Sequence, residues 1–123
     1  MPQVSVIIPA RNATRFIRRA VVSVLAQSHP PSETVIVDDD SEDDLVGALA
    51  PYGEKLRLVS TDRRGAARAR NRGIDATGGD CLAFLDADDY WEPDKLARQL
   101  EMLNHHPGVD IVSSNFFLDA RQE

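Results

Sequence analysis

The sequence predicts an α/β fold in three layers, with a mostly parallel central sheet. Two observations carry the prediction. Short apolar runs alternate along the chain with stretches whose apolar residues recur at helical spacing, the pattern of successive strand–helix units joined by right-handed crossovers. In addition, three loops that leave predicted strands are polar or acidic: Pro9-Ala10-Arg11-Asn12, Asp38-Asp39-Asp40 and Asp86-Ala87-Asp88-Asp89. Open parallel sheets bind ligands beyond the carboxyl ends of their strands, so the coincidence of the three loops points to a site.

Residues 4–8 read as the first strand, with Pro9 as its stop. Thr14 is placed to cap a helix whose stripe is Ile17, Ala20, Val21, Val24 and Leu25. Arg15, Arg18, Arg19 and Gln27 fall on its wet face, and the breaker Ser28-His29-Pro30-Pro31-Ser32 ends it. Residues 34–37 form a β-branched strand that runs into acids. A weak helix opens over 41–44, where acids suit the positive end of its dipole, and Pro51 and Gly53 end it. Residues 56–60 are a third strand. Residues 65–76, rich in Ala and Arg, are helical up to the stop Gly78-Gly79. The fourth strand, 82–85, is wholly apolar and reads as buried on both faces. Pro93 suits the first turn of a last helix with Leu96, Leu100 and Leu103 on one side. His105-His106-Pro107-Gly108 closes that helix, and residues 110–118 are expected to be a fifth strand.

At 123 residues the chain is a single domain, and 42% hydrophobic with 28% charged residues is ordinary for a soluble globular protein. A formal charge of −6 argues against nucleic acid as a partner. It leaves room for an anionic ligand, because arginines gather between Arg63 and Arg72. The single Cys81 excludes an internal disulfide and suits a reducing compartment; at the start of a buried strand it reads as a small core residue. The first apolar run lacks a preceding basic region, and residues 20–26 are too few to span a bilayer. The expected location is cytoplasmic, free or peripheral at the inner face of the membrane.

The richest stretch is Phe84-Leu85-Asp86-Ala87-Asp88-Asp89. If the chain stays extended there, Asp86 and Asp88 point to one side and repel each other. A hard divalent cation, completed by waters and phosphate oxygens, fits between them. Acids after a strand commonly just cap the next helix, and for 38–44 that reading stands level with a functional one. Three acids in four residues, with Pro93 starting the helix further on, exceed what capping needs. Arg63, Arg64, Arg68, Arg70 and Arg72 form either a phosphate patch or the wet face of their helix. Arg68 and Arg72 share a face while Arg70 points elsewhere, so not all of them can serve one ligand. His29, His105 and His106 lie in breaker segments and read as solvated. Trp91 is either a core anchor or a stacking wall.

Three rivals fit less well. Dinucleotide binding needs glycines after the first strand, and Pro9-Ala10-Arg11-Asn12-Ala13-Thr14 has none. A calcium loop starting at Asp86 would put Trp91 where glycine belongs and Ala97 where glutamate belongs. A haloacid-dehalogenase-type phosphatase places D-x-D after its first strand, trailed by Thr or Val; here it follows the fourth, trailed by Asp89-Tyr90.

Four segments in order, Val4 to Asn12 (VSVIIPARN), Val35 to Asp43 (VIVDDDSED), Gly65 to Ile74 (GAARARNRGI) and Phe84 to Asp89 (FLDADD), resemble the family 2 glycosyltransferases of the Rossmann-like GT-A fold. The resemblance covers nearly all of the chain and implies roles. Pro9, Ala10, Arg11 and Asn12 would line the base and ribose. Asp39 would accept from the ring N–H of a uracil-like base, with Asp40 standing where the family usually has Gly. Asp86, with Ala87, would lie near the ribose and the metal-bound water, and Asp88 would ligate Mg²⁺ or Mn²⁺ directly. Arg68 or Arg70 would be nearest the diphosphate, with Asn71 structural. The implied reaction moves a sugar from a nucleoside-diphosphate-sugar, a UDP-sugar by this reading, to an acceptor hydroxyl with inversion. The metal would neutralise the leaving diphosphate, and a carboxylate base would deprotonate the acceptor.

In the family that base comes from the second half of the domain, which this sequence does not match. No catalytic residue is therefore assigned, and the chain reads as the nucleotide-binding half of a GT-A domain truncated after the fifth strand. The alternatives are a half domain that binds nucleotide-sugar without transfer, and a phosphotransferase with Asp86 as nucleophile. The acceptor is left open, and an exposed fifth strand at the truncated edge favours a homodimer.

Overall fold

The computed structural model describes residues 2–63 and 65–114. Four parallel strands, β1 (Val4–Ala10), β2 (Glu33–Asp39), β3 (Arg57–Thr61) and β4 (Cys81–Phe84), form one sheet in the order β3-β2-β1-β4. The helices are α1 (Ile17–Leu25), α2 (Leu45–Leu49), α3 (Ala66–Asp75) and α4 (Lys95–His105), with a 3-10 segment, Ala50–Lys55, directly after α2.

The alternation of side chains along β1 divides the core in two. Val4, Val6, Ile8 and Ala10 pack with Ile17, Ala20, Val21 and Val24 of α1, Leu45 and Leu49 of α2, and Leu96 and Leu100 of α4. On the opposite face Ile7, Val35, Val37 and Val59 lie under Ala69 of α3. This is the three-layer α/β arrangement the sequence predicts. α3 sits close to the sheet because Gly73 has no side chain: a Cβ there would collide with Ile7 Cγ2 and lie 3.2 Å from Val37 Cγ2.

Several local expectations are corrected. Pro9 does not stop β1, which pairs with β2 as far as Ala10↔Asp38. The Ile7 carbonyl accepts from Leu85 N–H, so Pro9, two residues on, faces the same side beyond the end of β4, where no ladder needs its missing N–H. Thr14 is not the cap of α1: the N-cap is Phe16 and makes no side-chain cap bond, while Thr14 N–H donates to Asp43 Oδ2. Gln27 does not lie on a wet face but is buried. The second helix starts at Leu45 rather than at 41, capped by Asp44, whose Oδ1 accepts from Gly47 N–H. Pro51 opens the 3-10 segment instead of ending a helix. α4 begins after Pro93, with Asp94 as its N-cap.

The fourth strand is not buried on both faces. It is the outer strand of the described sheet, and Leu82 and Phe84 stay 42% and 41% exposed. α3 covers β1 and β2 but leaves these two side chains open. Cys81 and Ala83, on the other face, pack against the larger core. Of the expected fifth strand, residues 110–114 carry no strand, and 115–118 lie outside the described residues.

Candidate functional site

From β1 the chain steps to β2 and β3 in one direction, then crosses back to place β4 on the other side of β1. The point of reversal lies between β1 and β4, and there the loops after β1, β2 and β4 converge, as expected for a sheet of this kind.

The first two loops are tied together. Arg11 Nη1 donates to the carbonyls of Asp39 and Asp40 at 3.2 and 3.0 Å, and its Nη2 lies 3.5 Å from Glu42 Oε1. Asn12 N–H donates to Ser41 Oγ, and Asn12 Oδ1 accepts from Glu42 N–H at 2.7 Å. Asp38 Oδ1 accepts from the N–H of Ser41, three residues on, and braces the turn. Asn12 and Asp40 both adopt left-handed backbone, φ 50° and 58°, which short polar side chains tolerate better than most. Asp40 therefore holds the conformation a glycine would take at its position. Asp39 is buried, and its Oδ2 accepts from Gly65 N–H at 3.1 Å. Gly65, φ 89°, is the N-cap of α3, so this carboxylate anchors the start of the arginine-rich helix.

The third loop does not stay extended. A turn closes it, with Asp89 N–H donating to the Asp86 carbonyl at 3.0 Å. The turn brings Asp89 in beside the two carboxylates the sequence paired. Asp86, Asp88 and Asp89 each offer an oxygen, all within 4.8 Å of one another and open to solvent. Ala87 between them is buried. Burial pushes the Asp89 carboxyl above its ordinary proton affinity, the neighbouring Asp88 and Asp86 charges add to that, and Arg19 opposes it. Crowded oxygen donors with an open side suit a hard divalent cation that keeps waters and takes phosphate oxygens.

Among the candidate arginines, Arg70 reaches the acids: its Nη2 is 3.2 Å from Asp86 Oδ1. The pair is exposed and contributes little to stability by itself. Arg68 does not join it; with Thr61, Asp62, Asn71 and Arg72 it lines a separate shallow groove. Arg63 pairs with Glu42 at 2.7 Å. Trp91 is a core residue, and Lys95 Nζ stands 4.4 Å from its ring centroid.

Sequence reasoning missed Arg19. Its guanidinium lies 4.5 Å from the Tyr90 ring centroid, and its Nε and Nη2 are buried with no hydrogen-bond partner among the described residues. Its charge acts on Asp89. Nothing in the helical periodicity distinguishes it from Arg15 or Arg18.

A parallel α/β sheet with an acid triad at its topological switch point defines a class of open α/β proteins that bind ligands beyond the carboxyl ends of their strands, and comparison narrows it. Residues 5–119 match the model of glycosyl transferase family 2, and the chain belongs to that family. It is 45% identical over 106 residues to the Bacillus subtilis glycosyltransferase TuaG, named for teichuronic acid biosynthesis, covering 83% of this chain and 42% of TuaG. It is 39% identical over 131 residues to the amylovoran biosynthesis glycosyltransferase AmsB of Erwinia amylovora, covering 93% of this chain and 44% of AmsB. The chain thus spans less than half of these relatives.

Among solved structures it resembles S. aureus TarS 1–349 in complex with UDP-GlcNAc, with a TM-score of 0.74 and 28% identity over 85% of this chain and 32% of that one. It also resembles the mannosyltransferase PcManGT of Pyrobaculum calidifontis in complex with GDP-Man and Mn²⁺, with a TM-score of 0.73 and 32% identity over 83% of this chain and 32% of that one. The fold is therefore GT-A. Among the described residues no helix is long and apolar enough to cross a membrane.

Proposed function

We propose that residues 1–123 are the donor-binding part of a GT-A glycosyltransferase. The complete protein would move a sugar from a nucleoside-diphosphate-sugar to an acceptor hydroxyl, with inversion. The observation that carries this reading is the carboxylate triad Asp86, Asp88 and Asp89 at the switch point, beside a loop pair locked by Arg11 and Asn12.

In this reading Pro9, Ala10, Arg11 and Asn12 frame the base and ribose. Arg11, held by two backbone carbonyls, fixes the shape of the pocket wall. Asp39 accepts from the base, and a UDP-sugar is the donor. Support comes from TarS, whose complexes hold UDP-GlcNAc and UDP, while PcManGT holds GDP-Man. Asp88 and Asp86 hold Mg²⁺ or Mn²⁺. When bound, the ion supplies Lewis-acid stabilisation of the departing diphosphate. Arg70, already beside Asp86, is the cation placed to meet a diphosphate oxygen; Arg68 stands too far round the helix in its own groove. The base that deprotonates the acceptor is assigned to a part of the protein beyond this chain. A cytoplasmic protein, free or peripheral at the inner face of the membrane, agrees with use of a nucleotide-sugar donor. A homodimer through the outer edge of β4 is the favoured assembly, since a strand edge offers unpaired backbone groups.

Calorimetric titration of UDP and of GDP in Mn²⁺, then in EDTA, tests the reading. UDP should bind with Mn²⁺ and lose at least tenfold in affinity in EDTA or in Asp88→Ala, the scale of a lost metal–phosphate bridge. UDP binding indifferent to both would remove the metal from the proposal. Tighter binding of GDP than UDP would overturn the choice of base.

A further inference from the structure

Three like charges sit on one exposed turn, and residues 85–94 around it contain neither strand nor helix. Mutual repulsion favours opening such a turn, so something must hold its two ends. The leading end is held by β1, where Leu85 N–H donates to the Ile7 carbonyl at 3.1 Å. The trailing end is held from α1 and the residues just after it. Trp91 N–H donates to Ser23 Oγ at 3.0 Å. Gln27 Nε2 donates to the Glu92 carbonyl at 2.7 Å, and Gln27 Oε1 accepts from Leu96 N–H at 3.0 Å. Ser28 N–H donates to the Pro93 carbonyl at 2.8 Å.

Both side chains are themselves fixed. Ser23 donates its hydroxyl proton to the Ala20 carbonyl at 2.7 Å, which leaves a lone pair for Trp91 N–H. The second amide proton of Gln27 goes to the Ser23 carbonyl at 3.1 Å, so a 4% exposed amide is used at both ends. Simple packing at these positions would be met by apolar residues, as Val21 and Val24 meet it on the same helix. A satisfied buried amide that grips a neighbouring loop instead specifies one position for that loop.

We propose that Ser23 and Gln27 are positioning residues for the acid triad: a clamp on α1 that sets where Asp88 and Asp89 stand by fixing the backbone two residues further on. The inference rests on the donor-site reading above, since the quantity it controls is divalent-cation affinity. Groups that orient ligands from behind commonly change metal affinity 10–100-fold when removed, and the same range applies here.

The test uses the protein carrying Ser23→Ala, Ser23→Thr or Gln27→Met, with Leu49→Ala as a core cut on α2 away from the clamp. UDP binding in Mn²⁺ is measured by calorimetry, clamp integrity by amide exchange at Trp91 and Leu96, and fold by circular dichroism and thermal midpoint. Trp91 is the only tryptophan, so its emission reports on the same segment. Ser23→Ala and Gln27→Met should exchange faster at Trp91 or Leu96 and bind UDP with Mn²⁺ 10–100-fold more weakly. Ser23→Thr, which keeps the hydroxyl, should restore binding. Leu49→Ala should lower the thermal midpoint and leave affinity unchanged.

Faster exchange with unchanged affinity would overturn the clamp's role, as would affinity that tracks thermal midpoint across all four variants. If Gln27→Met does not fold, the Ser23 pair decides. Wild-type protein that takes up neither UDP nor GDP with Mn²⁺ would overturn the donor-site reading and the clamp with it, and a wild type that takes up GDP instead of UDP is compared with its variants on GDP. A wild type that binds beside Ser23→Ala that binds equally would overturn the clamp alone.

Discussion

Asp89 carries the cost of the acid cluster most directly. Its folded proton affinity is raised by burial and by its two acidic neighbours, above an ordinary value of 3.8. A carboxyl whose folded pKa lies above its unfolded one destabilises the fold as pH rises through that interval, and the penalty is absent below it. Asp89→Asn should therefore raise the thermal midpoint at neutral pH in metal-free buffer. The advantage should vanish as pH falls below 3.8, where the wild-type carboxyl is protonated in both states. Thermal scans against pH in EDTA check this, and a variant no more stable than wild type at pH 7 would contradict it. Much at this scale was legible in the sequence. The pairing of Asp86 with Asp88 and, of the two readings offered for Trp91, the core one followed from type and neighbours, whereas the left-handed backbone at Asp40 did not. That Arg70 rather than Arg68 reaches Asp86 did not, because helical spacing fixes which residues share a face but not what the face meets.

At the scale of elements, α3 shows how a single hydrogen atom sets a layer. Gly73→Ala improves helix propensity by about 1 kcal/mol, yet its methyl must enter the space of Ile7 and Val37 in the sheet. Overpacking of this kind costs about 1–3 kcal/mol, so the net expectation is destabilisation. Urea denaturation should show a lower midpoint with an unchanged slope; a stabilised variant would mean that α3 can lift off the sheet freely. Elements with a clean period, such as the stripe of α1, were read correctly from sequence. The errors cluster where the third dimension decides. Pro9 continues β1 because its ring faces past the end of β4, and β4 is half open because it lies outside β1, facts of strand order that no local pattern contains. Gln27 followed the helical wheel to the polar side and was misplaced, since the neighbouring segment offers it two hydrogen-bonding partners, the Glu92 carbonyl and Leu96 N–H.

For the molecule as a whole, the outer strand is the conspicuous surface. Among the described residues nothing pairs with the free edge of β4, and Leu82 and Phe84 present an apolar strip beside it. Such an edge invites a second chain. Sedimentation at rising concentration should show reversible dimers, and Leu82→Lys with Phe84→Lys should shift them to monomers without lowering the thermal midpoint. A wild type that stays monomeric throughout would remove the edge-paired homodimer.

The position of β1 also has a consequence in time. Its neighbour β2 follows within a helix's length, but β4 joins it across 77 residues, the separation of the Gln3–Asp80 contact. At synthesis rates of roughly 5–20 residues per second, β1 waits on the order of 4–15 seconds with one flank bare. Its residues Val4 to Ile8, wholly buried in the finished protein, are during that interval an apolar ribbon open to any passing chain. The acid turn arrives just behind the strand that closes this flank, so the nascent chain acquires its cluster of carboxylates only as its stickiest surface disappears.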